Sequence, residues 1–193
     1  MRRRKDMYKN VANGMHKMYI AELGAVICTA IALIPIIGTI IGGIGALVFG
    51  ILMIVALYGV GKEVEDCRKA FILMIIGMII GVVIGLFTDI PVIGKVLSLV
   101  ANVVSFLVIY LVCTSLGKLV AEAGDGATAA LGEKVWKLHF IVTVCNLITQ
   151  VLSWIPVIKV LAAVLAVVVA IFGIVVCCFY ISFLNKGSKV LSV

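Results

Sequence analysis

His139, Thr143, Asn146, Gln150 and Ser153 recur at steps of four, three, four and three within a stretch that is otherwise mainly Leu, Ile, Val, Phe and Cys. On a helix this spacing gathers all five onto one face. Glu22 is the one acid embedded well inside an apolar segment, five residues beyond Lys17. An imidazole, a carboxylate, two amides and a row of hydroxyls suit the coordination of an ion or a small polar molecule. An unpaired amide is costly in hydrocarbon, and a carboxylate more so, so these groups are expected to face other helices or water. Glu22, Thr29, His139, Thr143, Asn146, Gln150 and Ser153 are therefore the expected lining of a substrate site or pore, with His139 and Asn146 as partners for Glu22 if the first and fifth helices are neighbours.

The same residues do not make an enzyme. His16 and His139 are far apart and neither belongs to an H-E-x-x-H sequence, so no metal ligand set is expected. Gly59-Val60-Gly61-Lys62 has neither the spacing nor the hydroxyl of a phosphate-binding loop. No G-x-S-x-G occurs, and no Ser, His and Asp set suggests a nucleophile. The expectation is a non-enzymatic protein with no cofactor. The six cysteines form no C-x-x-C pair and are expected to remain free thiols.

The elements that carry these groups follow from composition. The chain has 193 residues, 64% of them hydrophobic and only 13% charged, whereas a soluble domain has about 45–50% apolar and about 25% charged residues. Uncharged runs such as 70–88, 96–117, 138–158 and 160–185 approach or exceed the roughly 20 residues that cross a bilayer core. An all-α integral membrane protein is expected, with one transmembrane domain over 15–185, a basic segment at 1–14 and a connector at 119–134.

The uncharged run from 23 to 61 is too long for one span and is divided by analogy. Pro35, Pro91 and Pro156 sit in near-identical words, Ile-Pro-Ile-Ile-Gly, Ile-Pro-Val-Ile-Gly and Ile-Pro-Val-Ile-Lys. Aligning the first two on proline superposes Gly61-Lys62 on Gly117-Lys118 without a gap, and aligning the last two superposes Lys69 on Lys134. A threefold internal repeat of helical hairpins is expected at about 15–62, 70–118 and 135–185, with each proline at a hairpin turn. Proline lacks an N–H and fixes φ, so it suits the first turn of the returning helix. Six spans result: Met15 to Ile34, Pro35 to Gly61, Phe71 to Asp89, Pro91 to Gly117, Trp136 to Ile155 and Pro156 to Phe183. Gly42, at the four-residue spacing of Gly38, Ala46 and Gly50, and the run Gly77, Gly81 and Gly85 are expected to be close helix-packing positions.

Of the 16 Lys and Arg residues, all but Lys95 and Lys159 fall on one side of this arrangement. The positive-inside rule places that side, with both termini, in the cytoplasm. The net charge of +7 then reflects membrane topology and attraction to anionic lipid headgroups, and no nucleic-acid partner is expected. The expected location is the bacterial plasma (inner) membrane, on grounds of compactness and the absence of a targeting segment. Two functions fit: a small-molecule or ion transporter or channel using the polar faces of the first and fifth helices, and a structural protein that forms a homo-oligomer or supports a membrane complex.

Overall fold

The computed structural model describes residues 2–32, 37–86 and 91–192. They form six long helices: α1 (Arg2–Ala32), α2 (Ile37–Gly61), α3 (Glu65–Leu86), α4 (Pro91–Glu122), α5 (Gly126–Leu152) and α6 (Lys159–Leu191). A short 3-10 turn, Pro156–Ile158, precedes α6. All six helices are long and apolar enough to cross a membrane. Leu47, Ile44, Val82, Val168 and Ile174 are more than half exposed. A belt of that kind would not be tolerated in water and is matched by lipid chains.

The helices close into a ring. Each packs on the next in sequence, and α6 returns to α1, with a lighter contact between α4 and α6 across the interior. The packed core lies toward one end. Val11, Met15 and Met18 of α1 meet Leu57 and Val60 of α2, Cys67 and Ala70 of α3, Leu116 and Val120 of α4, Val135 of α5, and Tyr180, Phe183 and Leu184 of α6. The basic residues gather at this same end, where Arg4 pairs with Glu122 at 3.3 Å and Asn10 donates to Glu63 at 2.9 Å.

Both polar stretches at this end carry helix. Residues 2–14 of the basic segment belong to α1, which begins at Arg2 and buries Val11 and Ala12 in the core. The connector 119–134 is also helical apart from residues 123–125, because α4 runs to Glu122 and α5 begins at Gly126. Charged side chains mask a helix in a hydropathy reading, yet Val120, Val135 and Gly132 still supply a buried face here.

Gly124-Asp125-Gly126 forms a defined joint between α4 and α5. The Gly124 N–H donates to the Ala121 carbonyl and the Asp125 N–H to the Val120 carbonyl, at 3.0 and 3.2 Å. This is the pairing of a Schellman helix end. Gly124 adopts φ +99°, open to glycine at little cost. Asp125 then caps α5 by accepting from the Thr128 amide.

At the opposite end Pro91 is the first residue of α4 and Pro156 opens the 3-10 turn before α6. Both occupy positions where a missing N–H does no harm. Pro35 lies outside the described residues. Lys95 sits 5.6 Å from the centroid of the Trp154 ring, joining the start of α4 to the end of α5.

Candidate functional site

Glu22 is half-buried on α1, one turn beyond the fully buried Met18. It borders a cavity of about 380 Å³ lined by α1, α2, α3, α4 and α6. Met18, Met53, Met74 and Met78 line the same space, with Leu57, Val104, Val108 and Val112, while Ser105 and Tyr180 are the other side chains there that carry a polar group. Among the described residues no lysine, arginine or histidine contributes to the wall. The Cys177 thiol of α6 donates to Glu22 Oε1 at 3.7 Å, a long and weak bond. Tyr180 is 6% exposed and lines the same cavity. The interior around Glu22 is therefore rich in sulfur and poor in countercharge.

The fifth helix does not meet Glu22 as expected. In the ring α5 packs between α4 and α6, while α1 packs between α6 and α2, so α6 separates the two. None of the polar side chains of α5 lines the Glu22 cavity. His139, half-buried, stacks on Phe106 of α4 with ring centroids 6.3 Å apart and planes inclined by 15°. Thr143 is buried and donates to the His139 carbonyl at 2.9 Å. Ser153 is exposed and donates to the Gln150 carbonyl at 2.6 Å. Thr29, on α1, is likewise exposed and donates to the Ala25 carbonyl.

These hydroxyls bend back onto their own helix, a local solution to the lack of water in a bilayer. Asn146 and Gln150 are half-buried, and the Gln150 side-chain oxygen is enclosed without a hydrogen-bond partner among the described residues. The stripe thus divides into hydroxyls already satisfied within α5 and two amides, with only Glu22 of the expected set on the cavity wall.

The expected packing glycines also divide. A Cβ added at Gly42 would lie 2.6 Å from the Ala32 Cβ and 2.9 Å from the Cys28 carbonyl oxygen, so α1 and α2 approach closely there. At Gly77 the nearest atom would be Val104 Cγ1 at an ordinary 3.5 Å, and at Gly81 and Gly85 nothing lies within 4 Å. The α3 run is an open face in this chain rather than a close helix contact.

Sequence reasoning missed Met53, Met74, Met78 and Tyr180 as site residues. Methionine reads as apolar filler, and only the order of helices around the ring shows that four of the seven methionines share one cavity. Among the described residues no group of three or more His, Cys, Asp or Glu side chains is arranged to hold a metal ion.

Fold and cavity together are those of an all-helical protein with six helices long and apolar enough to cross a membrane and one acidic side chain on the wall of an apolar cavity. Comparison with family models, curated proteins and solved structures gives no match.

Proposed function

We propose that this chain is a non-enzymatic transport protein, carrying or conducting a small molecule or ion across the membrane, with its site in the Glu22 cavity. The observation that carries the reading is a carboxyl group on the wall of an apolar cavity that, among the described residues, no cationic side chain lines. An ionisable group at membrane depth is costly and usually marks a pathway or a site. The electrostatics favour a cationic substrate, because a bound cation supplies the charge that the surrounding helices do not. The orientation proposed has the basic end and both termini in the cytoplasm, following the distribution of Lys and Arg. The threefold repeat belongs to the same proposal and is supported by Pro91 and Pro156 each opening a returning helix.

The test is flux of a panel of cations, anions and neutral solutes into liposomes containing the purified chain, compared with Glu22→Gln. Transport of a cation that is lost in the variant supports the reading, and flux unaffected by the variant removes Glu22 from it. A second reading, assembly into a homo-oligomer or a larger membrane complex, is favoured by the open glycine face at Gly81 and Gly85. A particle that is strictly monomeric in native lipid, with no copurifying protein, would overturn it.

A further inference from the structure

The size and lining of the Glu22 cavity narrow the substrate class. Its volume of about 380 Å³ falls within the range of about 300–1,000 Å³ typical of small-molecule sites and is far more than a bare ion fills. A hydrated ion would need many polar partners for its waters, yet among the described residues Glu22, Ser105 and Tyr180 are the only side chains on the wall that carry a polar group. The remainder is apolar, and four methionines supply flexible, polarisable surface that adapts to varied shapes.

The cavity is also long. Its α4 wall runs from Ala101 to Val112, about 16 Å at the helical rise. Its inner end is closed by the buried Met18, Leu57, Val112 and Tyr180. Toward the other end Met78 of α3 is 48% exposed and Ser105 of α4 is exposed, so the cavity is open there rather than sealed by side chains.

We infer that this cavity takes a lipophilic organic monocation, a single positive charge on an apolar body, which sets its charge against Glu22. The inference rests on the transport reading and adds the ligand's chemistry. Apolar bulk fills the methionine-lined space that water would occupy poorly, and the cation supplies the partner that the Glu22 carboxylate otherwise lacks.

The experiment is equilibrium binding of tetraphenylphosphonium to the purified full-length chain in detergent, with triphenylphosphine oxide as the neutral analogue and tetraphenylborate as the anion. Phosphonium is expected to bind, with both controls and the E22Q variant weaker by about tenfold or more. Excess sodium or potassium is expected not to displace it. Met74→Trp, which fills the cavity without touching the charge, is expected to block binding, and it decides the matter if E22Q does not fold.

Equal binding of phosphonium and its neutral analogue, or binding that survives both variants, overturns the inference. Failure to bind phosphonium while an alkali cation crosses liposomes in a Glu22-dependent way also overturns it and leaves the transport reading standing. Absence of both binding and Glu22-dependent flux brings down the two together.

Discussion

Asp125 holds Thr128 by two hydrogen bonds: its Oδ1 accepts from the Thr128 amide at 2.9 Å and its Oδ2 from the Thr128 hydroxyl at 2.6 Å. The Thr128 hydroxyl, and then its amide, hold the Asp125 carboxyl below its usual pKa. A carboxyl whose folded pKa is depressed stabilises the fold above its unfolded value, about 3.9 for aspartate, and loses that contribution as pH falls through the folded value. Asp125→Ala is therefore expected to lower the thermal midpoint at neutral pH, with the gap from wild type closing under strong acid. A gap that stays constant across that range would show that the cap does not act through the ionised carboxylate.

Gly42 and Gly81 should respond oppositely to the same change. Gly42→Ala drives a methyl group against Ala32 and the Cys28 carbonyl, and overpacking of this kind costs about 1–3 kcal/mol. Gly81→Ala adds a methyl into open space and gains helix propensity of up to about 1 kcal/mol. Thermal unfolding in one detergent compares the two directly. Destabilisation by Gly81→Ala would place a neighbouring chain against that face.

Thr143→Val is expected to leave transport unchanged, because the Thr143 hydroxyl is spent on the His139 carbonyl. The stability cost should be modest, about 1 kcal/mol or less, as for most hydrogen bonds inside membrane proteins. Flux measured beside Glu22→Gln checks this. Loss of flux in Thr143→Val would move the pathway to the face between α4 and α5.

The cysteines should separate by reactivity. Cys67 is fully buried and Cys113 is 1% exposed, whereas Cys178 is exposed. A membrane-permeant maleimide is expected to label Cys178 in the folded protein and to reach Cys67 and Cys113 only after denaturation, as read by mass spectrometry of peptides. Rapid labelling of Cys67 in the native protein would mean that the basic-end core is not packed as described.

Much of this architecture was legible because a bilayer imposes length and apolarity on every span, and residues such as Ile44 and Val168 satisfy that constraint alone. The helical ends at Arg2 and Glu122 were hidden because charged residues erase the hydropathy signal without preventing a helix. Glu22 could be found from sequence, since a lone acid among apolar residues stands out. Its surroundings could not: whether Cys177 or Asn146 comes near it depends on the order of helices around the ring, and periodicity within one helix carries no information about that order. The hydroxyls of α5 misled for a related reason, because a periodic polar face looks the same whether its groups bond outward or back to the preceding turn.

The tight cluster around Met15, Val60, Leu116 and Phe183 also assigns a mechanical direction to the molecule. All six helices contribute buried side chains to that cluster, so opening at the basic end would break contacts on every helix at once. Local opening is expected to cost less away from that end, and core substitutions there should loosen the whole bundle rather than one hairpin.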